Sequence, residues 1–250
     1  MSTSTPVPKI SPKQPPPGDS KPVKAQRSDG IEARTKLLNA ALKLFAEKGF
    51  AKTSTREIAL AAEANIAAIS YYFGDKAGLY RAVFTEPLGC AADDIPLYTH
   101  GNFSLRESLG AFYASFLRPM RQGDLVRQCM RLHHREMLEP TGLWQEEVEN
   151  GIKPAHAALV GILCRHLSLP VPDGEVHRLA FALTGLAVFL FMGREVIDAI
   201  QPEFFDGPDA VDIAAKRLTD FGYAMVADEQ VRRTAAAAVK RATQTPAKKK

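Results

Sequence analysis

The stretch TSTREIALAAEANIAAISYYFGDK, residues 53–76, decides how this chain is read. Ser54-Thr55-Arg56-Glu57 has the spacing of a capping box, in which a serine hydroxyl and a glutamate carboxylate satisfy opposite amides at a helix start. The helix it opens is short and ends near Ala62. Glu63-Ala64-Asn65 follow as a three-residue turn, and Asn65 is placed to cap a second short helix, Ile66 to Phe73. Its inner face is Ile69, Tyr72 and Phe73, which leaves Ile66, Ala67, Ser70 and Tyr71 pointing outward. Two short helices joined this way predict a helix-turn-helix. Two helical turns with a free outward face suit entry into a DNA major groove. Ser54, Thr55 and Arg56 stand where hydroxyls and amides can grip phosphate.

Outward from this stretch the periodicity stays helical. Upstream, Leu37, Leu38, Ala41, Leu44 and Phe45 line one face of a helix expected over residues 31–48, stopped by Gly49. Downstream, Asp75 caps a helix carrying Leu79, Tyr80, Val83 and Phe84, expected to reach residue 92 and to join the two halves of the chain. After a turn-like stretch at 93–103, a second capping box, Ser104 to Glu107, opens a helix with Leu105, Leu109, Phe112, Phe116 and Met120 on one stripe. Asp124 opens another, closed by Pro140. Residues 143–168 read as a helix that Pro154 kinks or splits. The most apolar helix begins at Asp173 and is expected to run to about Ile200. The last begins at Gly207-Pro208, with Val211, Ala215, Leu218, Gly222 and Met225 buried. No window alternates long enough to suggest a strand. The expected fold is all-α: an N-terminal three-helix helix-turn-helix domain and a C-terminal helical domain.

Composition agrees with a chain that buries a real core: of 250 residues, 46% are hydrophobic and 24% charged. The longest uncharged apolar run, Leu179 to Gly193, falls short of the about 20 residues that a membrane span needs. Seven prolines precede residue 23, with no apolar core of a secretory signal among them. Cys90, Cys129 and Cys164 are too scattered for a disulfide framework, so a reducing cytoplasm is expected. Charge is segregated. Residues 1–30 hold five Lys/Arg against two Asp/Glu, residues 31–81 eight against five, and residues 231–250 seven against none. Residues 82–230 are acidic, with twelve against twenty-one. This fits an anionic polymer meeting one end of the molecule, and it equally fits charged tails that only solubilise.

The pattern Ala40-x4-Phe45-x3-Gly49-Phe50-x2-Thr53-Ser54-Thr55-x2-Ile58-Ala59, followed by Tyr72-Phe73-x2-Lys76-x2-Leu79, resembles the N-terminal domain of the TetR family of bacterial transcriptional regulators. Asn65 to Gly74 and the later Arg135-Glu136-x3-Pro140 resemble the CecR-type branch of that family. The resemblance implies a homodimer that binds palindromic double-stranded operator DNA. It also implies a C-terminal domain that binds a small-molecule effector and dimerises through its last two long helices. Carried over residue by residue, Thr53 and Ser54 look like phosphate contacts. Ala67, Ala68, Ser70 and Tyr71 sit at or beside groove-facing positions, and Tyr72 and Lys76 look like a pair touching the DNA backbone. One position departs from the pattern: the turn glycine of the family is Glu63 here, which costs about 1 kcal/mol if the backbone keeps positive φ.

The expected organisation is a disordered basic, Pro-rich tail at 1–30, a DNA-binding domain at 31–85, an effector-binding and dimerisation domain at 86–230, and a basic tail at 231–250. Phe112, Phe116, Met120, Cys129, His133, Met137 and Trp144 are the candidates for an effector cavity, each weighed against plain core packing. The Arg131, Arg135 and Glu136 cluster is weighed between orienting an effector and forming a solvated or intrahelical ion-pair face. Cys129 and His133 lie one helical turn apart, but two ligands are not a metal site, and no metal or cofactor is expected. Neither a P-loop, GxGxxG, GxSxG nor HExxH occurs, so an enzyme is not expected. The rival readings are a helical dimerisation module and a small-molecule enzyme without DNA function. The reading adopted is a cytoplasmic bacterial regulator, a repressor, with no membrane partner.

Overall fold

The computed structural model describes the backbone of residues 23–244, all of it helices, turns and loops, with no strand among the described residues. Helix α1 (Val23–Lys52) breaks at Gly49, whose φ of 81° no helix accommodates. Residues 23–30, expected to be disordered, are therefore the first turns of α1. They contain no proline, and their Lys, Ala, Gln and Arg are good helix formers. Residues 1–22 of that expected tail lie outside the described residues.

Helices α2 (Thr55–Ala61) and α3 (Ala67–Phe73) follow, then α4 (Lys76–Thr85). The fourth helix is shorter than the sequence suggested. It stops before Pro87, and Gly89 then takes φ 74°, so the joint between the two halves is a turn rather than a continuous rod. A 3-10 turn (Ala91–Asp94) leads into the stretch expected to be turn-like, which holds one turn of helix, α5 (Ile95–Tyr98).

Helix α6 (Leu105–Leu117) opens on the complete capping box of Ser104 and Glu107. After α7 (Asp124–Leu138) come α8 (Leu143–Glu147), a π-helical turn (Val148–Ile152) and α9 (Lys153–His166). Pro154 lies in the first turn of α9, and the expected interruption falls in the wide π turn immediately before it. The apolar helix expected to run to residue 200 divides into α10 (Gly174–Met192) and α11 (Arg194–Ile200). The division falls at Gly193, where a Cβ would stand 2.8 Å from the Phe189 carbonyl oxygen. Helix α12 (Ala210–Gln244) runs well into the expected basic tail; residues 245–250 lie outside the described residues.

Two apolar cores organise these helices. The first gathers Leu37, Ala41 and Phe45 of α1, Ile58 of α2, Ile69 of α3 and Leu79 and Val83 of α4. Cys129 and Leu132 of α7 complete it, so a helix from the second half of the chain packs into the first bundle. Full burial of a side chain such as Phe45 contributes about 1.5–3 kcal/mol. The second core is built by α6, α9, α10 and α12 around Leu109, Tyr113, Leu163, Val176, Leu183 and Val226. Tyr113 donates its hydroxyl to the Leu183 carbonyl at 3.0 Å. Gly222 lets α12 lie close here, since a Cβ would come within 3.0 Å of Leu183.

Candidate nucleic-acid interface

The helix-turn-helix is assembled from local bonds. Ser54, in extended conformation, accepts from the Glu57 amide at 3.1 Å and starts α2. The Glu57 carboxylate is held by the Lys48 ammonium, which draws its pKa below the usual carboxylate value and ties α2 to α1. The turn closes through the Ala64 amide on the Ala59 carbonyl at 2.9 Å, with Glu63 at φ 52°. The left-handed conformation expected for the missing glycine is thus adopted by glutamate. Asn65 Oδ1 accepts from the Ala67 amide at 2.8 Å, which fixes the start of α3.

On α3, Ile69 is buried, while Ile66, Ala67, Ser70 and Tyr71 face solvent. Tyr71 is 82% exposed, although its ring has an edge-on neighbour in Tyr72. Tyr72 is half-buried, its hydroxyl close enough to Gly30 that a Cβ there would meet it at 3.3 Å. The Lys76 ammonium lies 4.4 Å from the centre of the Phe50 ring, a cation–π contact that holds it against the bundle. Ser54 and Arg56 are exposed at the start of α2, with Thr55 between them half-buried.

Two residues assigned to DNA by the sequence are placed otherwise. Thr53 is 1% exposed, and its hydroxyl donates to the Gly49 carbonyl at 2.8 Å, closing the end of α1. A side chain so engaged is not free for phosphate. Ala68 packs against the first core instead of facing outward with Ala67. It falls on the α3 face that carries Ile69.

The candidates for an effector cavity do not come together. Phe112, Phe116 and Met120 belong to the second core, where Phe112 packs edge-on against Tyr98 and Tyr113. Cys129 is buried in the first core, and burial pushes its thiol up to about 12. His133 donates Nδ1–H to the Cys129 carbonyl at 2.7 Å and stacks on Phe84, with Trp144 edge-on behind it. Met137 is exposed. Apolar periodicity marked these positions equally and could not say which of two cores each one enters.

Sequence reasoning also missed how the two bundles are joined. Tyr80 of α4 donates to Glu136 of α7 inside the first core. Arg135 donates to the Glu47 carbonyl at the end of α1 at 3.1 Å. Within the first bundle, Arg34 makes a two-pronged pair with Glu86 just beyond α4. The Arg135-Glu136 dipeptide was visible in the sequence, but its partners lie 88 and 56 positions away.

A capped helix-turn-helix with an outward second helix, carried on a larger all-helical body, defines a regulator that reads DNA. Residues 37–83 match the tetR family of bacterial regulatory proteins, and residues 105–225 match the C-terminal domain of the HTH-type transcriptional dual regulator CecR. The chain belongs to the TetR family, with a CecR-type C-terminal domain; it is a transcriptional regulator and not an enzyme. It is similar to the HTH-type transcriptional dual regulator CecR of Shigella flexneri, 30% identical over 179 residues that cover 67% of this chain and 79% of the relative. In fold it is similar to a TetR-like transcriptional regulator from Rhodococcus sp. RHA1, with a TM-score of 0.53 at 21% identity over 78% of this chain and 96% of that one. The TetR family regulator PfmR of Thermus thermophilus has a TM-score of 0.55 at 18% identity, over 74% and 96% of the two chains.

Proposed function

We propose that the chain is a cytoplasmic repressor that binds a palindromic operator as a homodimer and releases it when a small molecule binds the C-terminal half. Residues 31–85 would read DNA, and residues 86–230 would dimerise and sense the effector. The observation that carries this reading is the outward face of α3, where Tyr71 is 82% exposed beside Ile66, Ala67 and Ser70. A bulky aromatic held in water on a short, firmly capped helix is a contact in waiting. Tyr72 and Lys76, at the far end of α3 and the start of α4, would touch the DNA backbone, as would Ser54, Thr55 and Arg56.

Dimerisation is supported by the second face of α10. One side of that helix is buried through Val176, Ala180, Leu183 and Ala187, yet Phe181 is 65% and Phe189 55% exposed on the other. On α12, Ile213 is 61% and Phe221 46% exposed. Apolar faces of this extent on two long helices suit a second copy of the same surface. By length and composition alone α10 could also cross a membrane, but its buried face inside a helical core argues for the soluble reading. Two reading helices would then need to stand about 34–36 Å apart to enter successive major grooves. An effector that favours another spacing would weaken operator affinity by its difference in affinity for the two states.

The test is fluorescence anisotropy on DNA flanking the protein's own gene. Wild type should bind with two chains per site, and Tyr71→Ala and Lys76→Ala should each weaken binding about tenfold or more, while folding is retained. Sequence-independent binding, or binding untouched by both changes, would remove the reading.

A further inference from the structure

A cleft of about 420 Å³ opens where α7 crosses the ends of α10 and α1, and none of Phe112, Phe116, Met120, Cys129, His133, Met137 and Trp144 lines it. Its size falls within the range of small-molecule sites. Four guanidinium groups, Arg127, Arg131, Arg135 and Arg194, stand on its walls, and Met130, Phe191 and Met192 supply apolar surface between them. Glu139 and Glu195 are the acidic wall residues, each already beside an arginine: Arg135 lies 3.2 Å from Glu139 and Arg131 3.2 Å from Glu195. Arg194 is held by Asp198 at 2.7 Å. Arg127 is paired with Asp124.

Arg135 is the unusual member. Its Nε–H is buried with no hydrogen-bond acceptor among the described residues, while its Nη groups reach Glu139 and the Glu47 carbonyl. That Nε–H is sealed from the cleft as well as unpartnered, so an anion meets Arg135 through the Nη groups that now hold Glu139 and the Glu47 carbonyl. Guanidinium forks match carboxylates in shape as well as charge.

We propose that this cleft binds an amphipathic carboxylate, its charged end among Arg131, Arg135 and Arg194 and its apolar body against Met130, Phe191 and Met192. This rests on the effector-controlled reading above and deepens it by giving the effector a place and a chemistry. The coupling is direct. Ala46 of α1 also lines the cleft, and Arg135 is one of the groups that fasten α7 to α1. A carboxylate that engages Arg135 competes with the Glu47 carbonyl and loosens the hold of α7 on the DNA-reading bundle.

Decanoate serves as the probe and 1-decanol as its uncharged control, with binding to the full chain followed by calorimetry. One decanoate per chain is expected, bound at least tenfold more tightly than decanol. Arg131→Gln, a change at an exposed position, should weaken decanoate about tenfold. Met192→Trp should block it by filling the cleft. Equal binding of the two probes, or decanoate binding indifferent to both variants, would overturn the site. A second arm follows anisotropy on the protein's upstream DNA, where decanoate should release wild type and not Met192→Trp. Specific DNA binding without decanoate binding would sink the site and leave the regulator standing. Decanoate binding at the cleft with no specific DNA binding would do the reverse, and both bindings without mutual influence would overturn the coupling.

Discussion

The Tyr80 hydroxyl donates to Glu136 Oε2 at 2.9 Å with both side chains sealed from solvent, so a buried carboxylate of α7 is satisfied by the helix-turn-helix bundle. Its other oxygen accepts from the Thr141 amide at 2.7 Å. Burial first, and then the neighbouring Glu136, push the Tyr80 phenol well above its ordinary pKa, so it remains a donor across the physiological range. Tyr80→Phe removes one donor and should cost about 1–2 kcal/mol, whereas Glu136→Leu strands several donors and should cost about 3 kcal/mol. Urea denaturation of both single variants and the double variant checks this. Strictly additive losses would mean that the two residues are not coupled.

Thr53 provides a test of placement. Its hydroxyl belongs to the end of α1 rather than to phosphate. Thr53→Ala should lower stability by about 1 kcal/mol, read as the shift of a urea midpoint. Operator affinity should fall less than for Arg56→Ala, whose side chain is exposed at the start of α2. A large loss of affinity at unchanged stability would return Thr53 to the interface.

Glu63 holds φ 52° in the turn between α2 and α3, a conformation that glycine adopts without a Cβ penalty. The residue is exposed. Glu63→Gly is therefore expected to stabilise the chain by up to about 1 kcal/mol, partly offset by the greater freedom of glycine when unfolded. A lower thermal midpoint would show that Glu63 contributes something the turn geometry does not reveal.

The residues around the helix-turn-helix show where the sequence was legible and where it was not. Capping residues and helix stops act within a few positions, so Ser54, Asn65, Gly49 and the Ser104 box could be read directly, as could the outward face of α3. The end of α4 was overestimated because the apolar stripe fades gradually while Pro87 acts abruptly. Thr53 carries a side chain type suited to phosphate, and only the folded backbone shows that the Gly49 carbonyl claims it first. The aromatic and sulfur-bearing residues of α6 and α7 looked like one cavity because periodicity reports a buried face without naming what covers it. In the fold the stripe of α6 enters one core and that of α7 the other. The cationic cleft was legible only through Arg131 and Arg135 on α7: its other walls come from α1, α10 and α11, and charged residues on separate helices leave no common period.

Acid should expose a further tie between α7 and the first bundle, the stacking of His133 on Phe84. His133 is enclosed by Phe84 and Trp144, and burial holds its pKa below the ordinary 6.5, outweighing the Cys129 carbonyl that favours the charged form. The folded chain thus resists a proton that the unfolded chain accepts once the pH falls below about 6.5. Stability is fully present above that value and declines beneath it, by up to about 1.4 kcal/mol per pH unit for each such group. His156 and His166 are shifted in the same direction by burial and add to the slope. Urea midpoints at pH 7.5, 6.5 and 5.5 should therefore be level at first and then fall. His133→Phe keeps an aromatic ring between Phe84 and Trp144 without a titratable nitrogen, and it should flatten the decline by the share of one group. An unchanged slope in that variant would mean that His133 takes up its proton in place, with the ring still between Phe84 and Trp144.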